Sequence, residues 1–232
     1  MNIFKKIFQI NWPCTVYFNF HYLPLKQAVK LPIFLYKPKL LICKGEIIIE
    51  SDKIKRGMIR FGEYIVSLYP NSGIVWENHG GKMVFKGSCI IGNSSAISIG
   101  ERGICTIGNN FRANANLKLT SHYNITFGEN ALIAWDLIVM DTSFHRLKDM
   151  NGNFKNKGFA PVIIGKNNWI TTRCMILSGT QTPDYCSIGA GSILNKDYST
   201  FPPHILLAGN PIEIKATGVW IDLTDHDIVD YI

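Results

Sequence analysis

In the stretch VMDTSFHRLKDMNGNFKNKGFAP, Val139 to Pro161, one histidine follows one aspartate by four residues inside a polar run. A neutral imidazole at His145 could take the proton from an attacking hydroxyl, because histidine titrates near neutral pH. Asp141 could hold the second ring nitrogen, fix the tautomer and stabilise the imidazolium that forms. Read from the residues alone, His145 serves equally well as a solvent-facing histidine in a loop. Trp135 and Asp136 stand just before this stretch, where they either shape a substrate pocket or pack and cap a corner. His79 and His122 read as structural, and His21, His204 and His226 as packing or surface residues.

The elements that must position this pair keep a six-residue beat. From Ile164 the chain divides into IGKNNW, ITTRCM, ILSGTQ, TPDYCS, IGAGSI and LNKDYS. The first position of each six is Ile164, Ile170, Ile176, Thr182, Ile188 or Leu194, and the fifth is mostly small. Residues six apart on a helix are rotated about 240° from one another, so no helix gives them a common face. Short strands separated by corners do, with one large aliphatic residue pointing inward from each side. The same beat runs with slips from Phe85 and from Ile107, so repeats cover roughly residues 82–199. Eighteen residues make one three-sided coil, yet Val139 and Ile164 are 25 apart. The chain therefore leaves the stack after Val139 and rejoins it near Val162, and loops held by rigid scaffolds commonly carry function.

The chain has 232 residues, 47% of them hydrophobic, which suits one sizeable domain with a packed core. Its net charge is +7, and residues 1–60 hold eleven Lys/Arg against Glu46, Glu50 and Asp52. The whole basic excess thus lies at the N-terminal end, where it either faces water or attracts an anionic membrane or substrate. FKKIF, with Phe4, Ile7 and Phe8 around two lysines, could lie at a bilayer interface. No motif for nucleic acid accompanies the charge. No uninterrupted apolar run reaches the length of a membrane span and no signal-peptide pattern is seen, so a cytoplasmic chain is expected. Six cysteines show no metal-ligand spacing and read as reduced thiols, with Cys174 and Cys186 as small inward residues of the repeat.

The repeats IGKNNWI and SIGAGSIL, followed by AGNPIEIK, resemble the hexapeptide-repeat acyltransferases, and ALIAWDLIVMDTSFH resembles the branch that O-acetylates sugars and surface polysaccharides. The resemblance implies an all-β fold, a left-handed parallel β-helix with an ejected active-site loop and an N-terminal β-rich cap. The expected organisation is a basic capping segment over 1–81, the β-helix over 82–216 with its loop at 141–161, and a tail over 217–232. The resemblance further implies acetyl-CoA as donor, a sugar or glycan acceptor, a homotrimer and no metal. It assigns His145 as general base; Asp141 is the expected partner from its position, and Trp135 and Asp136 are the acceptor-pocket candidates, with packing or corner capping the alternative. It matches Trp169, Thr172, Ala190 and Asn195 to positions that contact the coenzyme, with Lys196 and Lys215 as phosphate candidates. Glu213 departs from the pattern where relatives often carry a basic residue. N-acetylation of an amino sugar stays open, since the same base and fold would serve. Cytoplasmic placement at the inner face of the membrane, with weak contact through the basic N-terminus, completes the expectation.

Overall fold

A computed structural model describes residues 8–221. The FKKIF segment up to Ile7, and the tail from residue 222 onward with His226, lie outside the described residues. Fourteen of the strands join one sheet and five another, and almost every pairing is parallel. The first wall of the prism stacks β1 (Ile33–Leu35), β4 (Ile59–Glu63), β7 (Cys89–Gly92), β10 (Phe111–Ser121), β12 (Leu132–Met140), β14 (Trp169–Ile170), β16 (Cys186–Ile188) and β18 (Ile205–Ala208). β2 (Pro38–Cys43), β5 (Ile74–Asn78) and β8 (Ser95–Ile99) begin the second wall, which the far halves of β10 and β12 continue to β15 (Met175–Ile176) and β17 (Ile193–Leu194). The third wall is β3 (Glu46–Ile49), β6 (Lys82–Phe85), β9 (Ile104–Ile107), β11 (Asn124–Phe127) and β13 (Val162–Ile164). A last strand, β19 (Glu213–Thr217), turns back antiparallel on β18. The fold is a left-handed parallel β-helix.

Each wall aligns one buried residue per coil into a column. On the first wall the column runs Leu35, Phe61, Ile91, Ala113, Ile133, Ile170, Ile188, Leu207, in direct register and all essentially inaccessible. On the second, Trp76, Ile97, Leu119, Val139, Ile176 and Leu194 do the same. The corners need backbone turned into the left-handed region, and residues other than glycine occupy many of them. Asn110, Asn130 and Asn167 all have φ between 56° and 58°, which asparagine tolerates better than most residues. Their amides link in a chain, Asn110 donating to Asn130 and Asn130 to Asn167, each at 2.9 Å.

The boundary expected at residue 82 is not a boundary in the stack. The parallel ladders already begin at Ile33, so the β-rich segment before residue 82 forms the first coils rather than a separate cap. The repeat is hidden there by irregular spacing and by register shifts on β2 and β4. What closes the open end is helical: α1 (Trp12–Tyr22) and α2 (Leu25–Ala28). Asn11 caps α1 by accepting from the Cys14 N–H at 3.1 Å, with Pro13 in the first turn. Phe18 enters the end of the prism and meets Trp76 and Phe61 edge-on, at 5.3 and 6.5 Å between ring centres.

The free edge of β1 is satisfied by helix side chains. Buried Asn19 donates to the Ile33 carbonyl at 2.7 Å and accepts from the Ile33 N–H at 3.1 Å, while the Thr15 hydroxyl accepts from the Leu35 N–H. An unpaired strand edge invites association with another chain; here two polar side chains stand in for the missing strand. Asn19→Ala leaves both backbone groups of Ile33 without a partner in a buried place and is expected to cost about 1–3 kcal/mol. Denaturant unfolding of the variant beside the parent checks this, and an unchanged midpoint would contradict the edge-sealing role.

Candidate active site

The excursion from the stack runs between the end of β12 at Met140 and the start of β13 at Val162. It is folded back on itself. Thr142 bridges Phe159 and Lys148 bridges Phe154 in antiparallel fashion, so its two arms run side by side. At the tip Asp149 accepts from the backbone N–H groups of Asn151 and Asn153 at 3.0 and 2.9 Å, and Lys155 pairs with it at 3.2 Å. These bonds hold its carboxyl below the usual carboxylate range. The Arg146 guanidinium lies 3.6 Å from the centre of the Phe154 ring, a cation–π contact that ties the arms together.

Asp141 anchors the root of this finger. It is fully buried, and its carboxylate takes three donors from the preceding coil: the His122 N–H at 2.8 Å, the Tyr123 N–H at 2.9 Å and the Ser121 hydroxyl at 3.2 Å. None of its donors is the His145 imidazole. The expected Asp141–His145 pair is therefore corrected: within this chain Asp141 caps a corner. Backbone N–H groups turned inward at that corner need an acceptor, and Asp141 is where the chain supplies it.

His145 is exposed, and its ring has no hydrogen bond, ion pair or ring contact among the described residues. Its carbonyl accepts from the Ser143 hydroxyl at 2.7 Å. Phe144 directly before it has φ of 60°, a conformation strained for a bulky residue. The Phe144 ring packs edge-on against His122, 4.9 Å between centres. Beneath it lies a cavity of about 520 Å³, lined by Arg102, Ile104, His122, Tyr123, Asn124, Thr142 and Phe159. His122, read from sequence as structural, thus borders the opening at the root of the finger. Tyr123 and Phe159 were not singled out, although 121–123 hold the same corner one coil before Asp141.

Trp135 and Asp136 do not line this cavity. They occupy a different corner, where Asp136 has φ of 60° and accepts from the Tyr69 hydroxyl at 2.6 Å and from the Asn116 amide. Within this chain Asp136 caps a corner, away from the cavity at the root of the finger. Burial pushes the Asp136 carboxyl up, but the bonds from Tyr69 and Asn116 and the charges of Arg173 and Lys118 outweigh it and hold it below the ordinary range. The same bond, after burial, pushes the Tyr69 hydroxyl up to about 12.

The residues matched to the coenzyme fall in two groups and two outliers. Thr172 and Ala190 share the corner of successive coils, with the Gly191 N–H donating to the Thr172 carbonyl at 3.0 Å and the Thr172 hydroxyl to Trp135 O at 2.9 Å. Asn195 and Lys196 border a second cavity, about 330 Å³, with Asn210, Pro211 and Ile212. Lys196 is exposed and in no ion pair among the described residues. Trp169 lies on the first wall, between Leu132 and Ser187. Lys215 is bound to Glu213 at 2.6 Å, since residues two apart on a strand share a face, so its charge is already engaged.

No family model matches the chain. The galactoside O-acetyltransferase of Escherichia coli K12 is 37% identical over 108 residues, 47% of this chain and 51% of that protein. A Saccharomyces cerevisiae protein that carries an acetyltransferase name is 32% identical over 109 residues, 47% of this chain and 53% of its own length. The chain spans about half the length of these relatives. The crystal structure of the polysialic-acid-specific acetyltransferase NeuO superposes with a TM-score of 0.53 at 18% identity, over 82% of this chain and 90% of that one. The chain is thus similar in sequence to these acetyltransferases over part of its length, and in fold to NeuO.

For Asp136 the folded pKa lies below its unfolded value of 3.8, so its contribution to stability is present above that value and lost as pH falls through the folded pKa. The stability advantage of the parent over Asp136→Asn is expected near neutral pH and should close below about pH 4. Thermal unfolding of both proteins across that range reads it, and an advantage that persists unchanged into acid would contradict the assignment.

Proposed function

We propose that the protein is an acetyl-CoA-dependent O-acetyltransferase acting on a hydroxyl of a sugar or surface polysaccharide, with His145 as general base. The observation that carries this reading is an imidazole with both nitrogens free, held on a finger that leaves a rigid β-helix, in a chain 37% identical over 108 residues to a galactoside O-acetyltransferase. The His145 nitrogen takes the acceptor proton as the acceptor oxygen attacks the thioester carbonyl. The carbon–sulfur bond then breaks, the acetyl group stays on the oxygen, and the coenzyme leaves as thiol after receiving a proton from the imidazolium. Asp141 acts at a distance, by fixing the root of the finger.

Several features support acetyl-CoA as the donor. Thr172 and Ala190 give a small-residue corner in adjacent coils, over which a thin pantetheine arm fits. Asn195 and the unpaired Lys196 border a cavity of about 330 Å³, and a lysine there suits phosphate. Trp169 keeps a coenzyme role in this reading as a neighbour on the adjoining wall, and Lys215 only if it exchanges Glu213 for phosphate. The thiols support direct transfer: Cys89, Cys105, Cys174 and Cys186 are buried. Burial pushes the Cys186 thiol up to about 12 and raises that of Cys105 further, so neither supplies a thiolate at neutral pH.

We also propose a homotrimer in which a second chain completes the site. The His145 ring has no partner among the described residues, and Phe144, Leu147 and Met150 stand exposed on the same finger. Acetyl-CoA use implies a cytoplasmic place of work, with the basic N-terminal end toward the inner face of the membrane. Among the described residues no helix is long and apolar enough to cross a membrane.

His145→Ala is expected to lower turnover by at least about 10²-fold, the lower scale of general-base catalysis, while His122→Ala leaves most of it. Coenzyme release measured against nucleotide sugars, sialic acids and polysaccharides provides the readout. A His122 variant that is the dead one would move the base to the cavity wall. Intact mass after acetyl-CoA alone should show no adduct; a stoichiometric cysteine-linked acetyl group that chases onto acceptor would overturn direct transfer.

A further inference from the structure

The N-terminal lid has an outer face that its sealing role does not use. Thr15, Phe18 and Asn19 point into the prism, whereas Val16, Tyr17 and Phe20 lie on the other side; Trp12 packs on Phe34 at the flank. Val16, Tyr17 and Phe20 are 43%, 51% and 48% exposed. Phe8 before the helix and Leu25 and Val29 at α2 extend the same apolar surface. A helix that is apolar on both sides is ordinarily buried on both; here only one side is covered. Large apolar side chains left exposed on two neighbouring helices suit a contact with something else.

The charge around the patch says what that is. Lys26 and Lys30 flank α2, Lys37 follows Tyr36, which bridges Ile10, and the Tyr22 hydroxyl donates to the Lys44 carbonyl. With Lys39 these are five exposed lysines, none in an ion pair among the described residues. The acids of this end do not offset them: Glu46 is paired with Lys82 and Glu50 with Lys86. Two copies meeting face to face would set lysines against lysines. Aromatic side chains on a helix ringed by lysines instead match an anionic lipid surface, where the rings sit among the headgroups and the ammonium groups meet phosphate.

We propose that the outer face of α1 and α2 docks the protein on anionic membranes, the helix lying in the plane of the interface. This holds independently of the catalytic reading. The full chain should sediment with vesicles of phosphatidylcholine containing phosphatidylglycerol, release on raising salt, and bind vesicles of phosphatidylcholine alone far more weakly. Val16→Ser with Phe20→Ser, and separately Lys26→Gln with Lys30→Gln, should each weaken binding about tenfold or more without moving the melting temperature. All four positions are exposed, so the second pair tests the idea even if the first fails to fold. Absence of binding to anionic vesicles, or binding untouched by the folded variants, would overturn it. So would a parent chain whose oligomeric state breaks down on Val16→Ser with Phe20→Ser, since the face would then be a contact between copies.

Discussion

Register is the constraint on which everything else here depends. A parallel coil can stack on the one before only if each corner returns the chain to the same height and the same face, because a slip of one residue turns every inward side chain out. Columns such as Ile133, Ile170, Ile188, Leu207 are the visible result. The corners bear the cost, in left-handed backbone and in inward N–H groups that must be given acceptors. Buried Asn93 and Asp141 meet that need at turns, and buried Asn168 serves the carbonyl side by donating to Pro183.

The candidate site follows from the same constraint. Inserted chain can leave the stack only at a corner, since a wall position would break two ladders at once. Asp141 marks the departure by binding the corner of the preceding coil, so the finger begins from a fixed point although its tip is in solvent. A catalytic group on such a support combines a rigid root with an open approach. Among the described residues no carboxylate stands beside the His145 ring.

The two ends of the prism are closed by different means. At the C-terminal end β19 turns back antiparallel on β18, so one more strand takes the open hydrogen bonds. At the N-terminal end, among the described residues, only a single bridge from Ile10 to Tyr36 is added, and Asn19 and Thr15 serve the rest of the edge with side-chain groups. That substitution frees a helix to cover the opening, and a helix, unlike a strand edge, can display a second apolar face without inviting sheet growth.

The sequence by itself determined the repeat. Ile164, Ile170, Ile176, Ile188 and Leu194 recur at six, a spacing that only short strands between corners can use, and the interruption after Val139 marks where chain had to leave. Those are local facts, readable because periodicity is written along one chain. The first coils were not legible, because bulges and uneven corners between residues 33 and 81 broke the beat while the pairing partners stayed the same. Nor was the fate of the carboxylates: Asp141 and Asp136 looked like site residues because acid near a histidine or tryptophan suggests chemistry. Only the tertiary structure decided that both were claimed by N–H, hydroxyl and amide donors about 20 residues away in sequence, since which donors a buried carboxylate meets depends on the coil stacked above it and not on its neighbours in the chain.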